Sequence, residues 1–452
     1  MGWRYGRILA AQFVLATVFV FGDATTVTVS FAKESLSKVH DKLNATAVQK
    51  WDYVTVRPHA HMFWWLFRTT HPDGHIRRPL IMWLQGGPGA SSTGYGSFDI
   101  IGPLDRHFNR RNTSWVRESS VLFVDNPVGA GFSYVDTEDA YTTDVGQVAD
   151  DLLVLLAAFL NQNPEYKVVP FYIFGQSYGG KMAAAFARRL YGAIQRGHIA
   201  CALKGFAMGN SWISPIDSTM TWGPFLFQMS VVDERGYAAI LEEAIKCKKA
   251  AAKKQWLKAS ELWRTTQLVL DSHSNYVDFY NVLKYRTATQ NTRKMPAMFV
   301  DGEDEWSGYF SDAKLSLTEL MNGIVKDYLR IIPRNVTWGG QKMEVFRKHQ
   351  TDFMKNVINI VDELLKTTHL DIVVYQGQLD LICDTKGAMD WVQRLTWDGL
   401  DYYNNAPRTP LLTPSTGQTE AFVKAHDNFR FYWMLQAGHS VSVPPSVHAR
   451  DC

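Results

Sequence analysis

The segment Gly175-Gln176-Ser177-Tyr178-Gly179 constrains this chain more than any other. It follows Phe171-Tyr172-Ile173-Phe174, an apolar run that reads as a buried strand, and it precedes a helical pattern from about Tyr178 to Ala193. A serine on so sharp a strand-to-helix turn is forced into strained backbone geometry, and the flanking glycines avoid clashes with it. Its hydroxyl then projects beyond the carboxyl end of the sheet. The same residues approach a phosphate-binding loop, with Gly175 separated by four residues from Gly180-Lys181. That loop needs Ser or Thr next to hold magnesium, and Met182 stands there instead.

The surrounding texture is that of strands alternating with helices. Trp51 to Thr70 reads as an antiparallel hairpin turning at Pro58-His59-Ala60-His61. Pro79 to Leu84 and Val121 to Val124 are continuous apolar runs, as in strands buried on both faces. Thr143 to Leu160 has helical periodicity, and Gly205 to Gly209 looks like a further strand. From about Trp212 to Val345 the alternation stops in a charged stretch of helix formers, expected to cap a site on the sheet. It resumes with a helix at Asp352 to Leu365 and strands at Ile372 to Tyr375 and Phe429 to Leu435. The fold class is therefore α/β, a mostly parallel sheet with helices on both faces. The expected division is a leader at 1–22, core at 23–211, helical insertion at 212–345 and core again at 346–452.

Arg4 and Arg7 before the apolar run Ile8 to Phe21 make residues 1–22 a signal peptide. The run is shorter than the roughly 20 residues that a membrane span needs. No later segment reads as a span. Sequons at Asn44, Asn112 and Asn335 fit passage through the secretory pathway as glycosylation sites. Cys201, Cys247, Cys383 and Cys452 allow two disulfides, and their spacings match no metal site. With 47 basic and 44 acidic residues, nothing in the charge favours nucleic acid or an anionic membrane as partner.

A serine nucleophile needs a base, and the base an orienting acid. In α/β-hydrolases the chain order is Ser, then acid, then His, each on a loop after a strand. Gln376-Gly377-Gln378-Leu379-Asp380 leaves one late strand and presents Asp380; Gln436-Ala437-Gly438 leaves the last and presents His439. The amide of Tyr178 is one candidate donor to a tetrahedral oxyanion. The loop Gln85-Gly86-Gly87-Pro88-Gly89 is expected to supply the other.

Four motifs in order resemble the serine carboxypeptidases. They are Trp83 to Gly89, Asp125-Asn126-Pro127-Val128-Gly129-Ala130-Gly131-Phe132-Ser133-Tyr134, Gly175 to Lys181 and Ala437-Gly438-His439. The similarity runs from about Trp51 to His439. Gln85, the segment Gly209 to Pro215 and Gln376 to Ile382 point to the retinoid-inducible type. The resemblance implies an α/β-hydrolase fold with a helical cap and removal of C-terminal residues from peptides, in secretions or a lysosomal or vacuolar lumen. It implies Ser177, Asp380 and His439 as triad, and Gly87 and Tyr178 as oxyanion donors. Gln85, Gly86 and Gln176 would bind substrate, with no metal and no organic cofactor. Oligomeric state is left open.

The chain departs from the family pattern in three places. The family's paired glutamic acids, which take the substrate carboxylate, are Gln176 and Ile100 here. Ser440-Val441-Ser442-Val443 replaces a usual Met-Val-Pro, and the customary last helix does not follow. Two alternatives therefore stand beside peptide hydrolysis: an esterase or acyltransferase on the same triad, and a secreted non-catalytic homologue.

Overall fold

The structure, a computed structural model, describes residues 41–43, 46–286 and 316–441. Residues 1–22, Asn44 and Cys452 lie outside them, as does most of the segment after His439. Among the described residues, eleven strands form one sheet. They are β1 (Gln49–Arg57), β2 (Ala60–Phe67), β3 (Leu80–Leu84), β4 (Ser120–Val124), β5 (Tyr134–Val135) and β6 (Pro170–Gln176). β7 (Ala202–Gly209), β8 (Asp371–Gly377), β9 (Thr409–Leu412), β10 (Thr419–His426) and β11 (Phe429–Met434) complete it. The order is β1-β2-β4-β3-β6-β7-β8-β11-β10-β9, with β5 beside β2. The run from β4 to β11 is parallel, and both flanks are antiparallel. The continuous apolar runs follow from this placement: every residue of β3 and β4 is buried.

Helix α1 (Val145–Gln162) starts at Asp144, whose carboxylate accepts from the Gly146 and Gln147 amides. It turns Val148, Leu152, Leu155 and Phe159 inward. Contrary to the sequence reading, α1 has the length and apolar character of a membrane span. Half of it is buried against the sheet and α2 (Tyr178–Gln195), and its buried Asp151 pairs with the half-buried Arg57 at 2.6 Å. That packing marks it as a core helix. Between β7 and β8 the chain inserts α3 (Pro215–Gln228), α4 (Glu234–Ala252) and α5 (Trp256–Ser274) before returning through α6 (Ile358–Thr367).

Strand register places the site. Leu84 pairs Gly175, Gln176 pairs Gly209, Gly209 pairs Tyr375, and Gly377 pairs Met434. The parallel strands thus end together, and Gln85, Ser177, Asn210, Asp380 and His439 leave along one edge.

Several expectations need correction. The first hairpin turns over two residues, Pro58 and His59, with His59 at φ +64° and Ala60 already paired with Arg57. The helix expected from Asp352 is broken into Gln350–Phe353 and α6. Lys181 Nζ takes the Asp352 carbonyl, Trp212 Nε1 takes that of Phe353, and the Val357 amide bonds Ile213. The carbonyls a continuous helix needs are spent elsewhere. Strands β5, β9 and β10 were not foreseen; β9 is mostly exposed and β10 half-buried, so they lack the apolar runs that betray the centre. Finally, Cys201, Cys247 and Cys383 are free thiols. Any two-bridge pattern among four cysteines would join two of these three, so two disulfides do not form.

Candidate active site

Ser177 stands between β6 and α2 at φ +59°, ψ −128°, a region costly for a side-chain-bearing residue. Its amide bonds the Gly209 carbonyl at 3.0 Å, and its carbonyl accepts from Gly180 and Trp212. The turn closes so tightly that a Cβ on Gly175 would lie 2.1 Å from the Gly179 carbonyl oxygen, and one on Gly179 2.2 Å from that of Leu84. Although Ser177 caps α2, its side chain makes no capping hydrogen bond, and the residue is only half-buried.

Asp380 and His439 are both buried, with His439 Nδ1 2.9 Å from Asp380 Oδ2. Donation from Nδ1 leaves Nε2 as the basic nitrogen. Asn210 Nδ2 donates to the same Oδ2 at 2.6 Å, and the Cys383 amide reaches Oδ1 at 3.4 Å. The His439 amide donates to the Tyr280 carbonyl at 2.8 Å, and the Leu381 and Ile382 amides donate to that of Phe279. Residues of the insertion therefore hold both the Asp380 loop and the His439 loop. Asn210 and Tyr280 had no assigned role in the sequence reading. Asn210 could have been sought, because it follows β7 directly just as Ser177 follows β6. Tyr280 carried no such signal.

Gly86 lies against the elbow: a Cβ on it would meet Ser177 Cβ at 2.6 Å and the Tyr178 amide nitrogen at 3.0 Å. Gly87 sits at φ +108°, and the Gln341 side chain of the insertion packs on it while donating to the Pro88 carbonyl at 2.8 Å. Gln85 and Gln176 are buried in one chain of amides. Trp83 Nε1 donates to Gln85 Oε1 at 2.9 Å, and Gln85 Nε2 donates to Gln176 Oε1 at 3.0 Å. Gln176 Nε2 then donates to the His439 carbonyl at 2.7 Å, with Ser440 Oγ at 3.4 Å. The residue beside Ser177 thus tethers the loop that carries His439.

The Cys383 thiol also neighbours Ser177, but burial and the carboxylates of Asp380 and Asp384 push it well above the usual range. It stays a neutral thiol, no rival nucleophile. Among the described residues, Asp380, Cys383 and His439 form one group close enough to hold an ion. Within that group, Asp380 Oδ2 is already shared between His439 Nδ1 and Asn210 Nδ2. Lys181, the lysine of the near phosphate loop, is wholly buried 3.1 Å from Asp352 and is not available to a phosphate.

The serine carboxypeptidase family profile matches residues 40–451. The retinoid-inducible serine carboxypeptidases of Mus musculus and Homo sapiens are each 45% identical over 399 residues, 86% of this chain and 87% of theirs. This chain belongs to the serine carboxypeptidase family. Serine carboxypeptidase-like 51 of Arabidopsis thaliana is 38% identical over 418 residues, 89% of this chain and 90% of its own. In fold, the prohormone-processing carboxypeptidase Kex1Δp of Saccharomyces cerevisiae aligns with TM-score 0.75 at 21% identity, covering 90% of each chain. The fold is thus the α/β-hydrolase fold of a serine carboxypeptidase.

Against the family pattern, Gln176 replaces a carboxyl by an amide whose two faces are both used: one accepts from Gln85, the other donates to His439. In Gln176→Glu the second oxygen would face the His439 carbonyl, acceptor against acceptor. Only the protonated acid restores that bond, and burial raises a carboxyl pKa. The variant should therefore work best in acid. Its kcat/KM relative to wild type is expected to fall about tenfold or more between roughly pH 4.5 and 7.5. Parallel pH–rate profiles would contradict this reading of Gln176.

Proposed function

We propose that the protein is a serine-type carboxypeptidase that releases C-terminal residues from peptides through an acyl-enzyme on Ser177. One observation carries this reading: a strained, half-exposed serine shares the sheet edge with a buried Asp380–His439 pair, and Gln176 ties the two together.

In this mechanism His439 Nε2 takes the Ser177 proton as Oγ attacks the scissile carbonyl carbon. Asp380 fixes the tautomer and stabilises the imidazolium, and Asn210 orients Asp380. The amides of Tyr178 and Gly87 hold the oxyanion, aided by the positive end of α2. His439 then passes its proton to the departing amine, the C–N bond breaks, and the free amino acid leaves. Water, activated by the same histidine, hydrolyses the ester. On this reading Gly86 and the Gln85 amide bind the substrate's terminal carboxylate, and residues 212–345 act as the cap. No metal or organic cofactor takes part. The substrates are peptide or protein C-termini.

Comparing a free-acid peptide with its C-terminal amide tests this reading. Carboxylate recognition predicts a kcat/KM preference of about tenfold or more for the acid. Equal rates would instead favour an esterase or acyltransferase, a reading supported by the commitment of Gln176 to His439 and by the buried, apolar Ile100. For location, we propose a secretory route to a lysosomal, vacuolar or extracellular space. Its support is the leader-like 1–22 and the sequons, of which Asn112 and Asn335 are exposed.

A further inference from the structure

The side chain of Tyr178 points away from the reaction and into a buried polar cluster that the mechanism does not use. Its hydroxyl donates to Asp352 Oδ2 at 2.6 Å, and its ring stacks on Phe353 with centroids 6.1 Å apart and planes 9° apart. Lys181, also on α2, lies 3.1 Å from the same carboxylate oxygen, donates to the Asp352 carbonyl at 2.6 Å and sits 5.1 Å above the Tyr178 ring. All three are buried. Lysine in the first turn of a helix faces the positive end of the helix dipole, which makes this an unfavourable place for a cation without a partner. Burial lowers the Lys181 pKa to about 8, while Asp352 acts to raise it.

The chain path gives this cluster a direction. Residues 349–353 lie just past the exit of the long insertion, and Trp212 opens it. The Trp212 amide bonds the Ser177 carbonyl at 2.9 Å, and its ring packs on Phe353 at 5.3 Å. Both ends of the insertion are thus joined to one another at the elbow. The amide of Tyr178, which faces the reaction, and the phenol of Tyr178, which faces Asp352, belong to one rigid, fully packed residue.

We propose that Asp352, held by Lys181, is a positioning residue for the oxyanion hole. It fixes the Tyr178 side chain from behind and so sets where the Tyr178 amide points. This rests on the carboxypeptidase reading above. The join at the insertion therefore does more than anchor it to the sheet: the segment just past its exit aligns the donor that stabilises the transition state. A donor misplaced by a fraction of an ångström stabilises the oxyanion less while leaving ground-state binding alone.

Tyr178→Phe is the decisive variant, since it deletes one oxygen and leaves the amide and the Lys181–Asp352 pair. The readouts are kcat, KM and the affinity for a peptide aldehyde. The aldehyde carbon bonds Ser177 Oγ, His439 takes the serine proton, and the aldehyde oxygen becomes an oxyanion in the hole. Expected are losses of about tenfold in both kcat and aldehyde affinity, with KM and product inhibition within about twofold. Asp352→Asn, which also strands the Lys181 charge, should lose about a hundredfold in kcat if it folds. If it does not fold, Tyr178→Phe decides alone. A Tyr178→Phe enzyme with unchanged kcat and aldehyde affinity, whatever its melting temperature, would overturn the proposal while leaving the carboxypeptidase reading intact. Wild-type protein that neither hydrolyses peptides nor binds the aldehyde would overturn both.

Discussion

Ser177→Ala should lower kcat by about 10⁴-fold or more, with KM within a few-fold and the fold unchanged. The substitution removes the attacking oxygen and little else. The Ser177 side chain makes no capping bond, and the main-chain bonds that hold the residue, to Gly209, Gly180 and Trp212, involve only backbone on its side. What remains is the rate that oxyanion donors and substrate positioning give to attack by water. Ser177→Gly sharpens the point. Glycine tolerates φ +59° without a side-chain clash, so this variant should be as inactive as the alanine but about 1 kcal/mol more stable. Inactivity coupled to higher stability separates a nucleophile held under strain from a residue that merely packs. Kinetics and thermal melts of both variants check it.

Asp380→Asn should cost nearly as much, about 10⁴-fold in kcat, with little change in KM. Asp380 Oδ2 accepts two hydrogen bonds at once, from His439 Nδ1 at 2.9 Å and Asn210 Nδ2 at 2.6 Å. An asparagine has one oxygen and one NH₂ group to offer this position. With its NH₂ at the shared position, it meets the Asn210 NH₂ donor against donor and drives the imidazole to accept at Nδ1 and carry its proton on Nε2, which can then take none from Ser177. With the oxygen at the shared position, its NH₂ faces the Cys383 amide, donor against donor, in a dry site. Nearly wild-type kcat in this variant would show that His439 does not depend on Asp380 for its tautomer.

Much of this site was legible in the chain because it sits where regular elements end. Ser177, Asp380 and His439 each follow a strand with a strong apolar run, and parallel register brings strand ends to one edge. Asn210 obeys the same rule but was not assigned a role, since recognising it requires knowing that β7 lies between β6 and β8. Asp352 and Tyr280 were out of reach for another reason. Asp352 lies in the short helical piece Gln350–Phe353 and Tyr280 in an irregular stretch of the insertion, and their partners, Tyr178 and His439, lie 174 and 159 residues away. The break at Met354 was hidden because apolar periodicity continues across it; only the tertiary claims of Lys181, Trp212 and Ile213 on that backbone interrupt the helix. The disulfide expectation failed because cysteine count says nothing about distance, and each of the three thiols has its own place in the fold.

The central claim is that Ser177 is an activated nucleophile, and active-site trapping tests it most directly. The protein is treated with a fluorophosphonate, its intact mass is measured, and the adduct is mapped by peptide sequencing, with Ser177→Ala in parallel. One adduct per chain on Ser177, absent from the variant and lost together with peptide hydrolysis, is the predicted result. Peptide hydrolysis that survives with Ser177 unmodified, or an adduct on another residue, would contradict it.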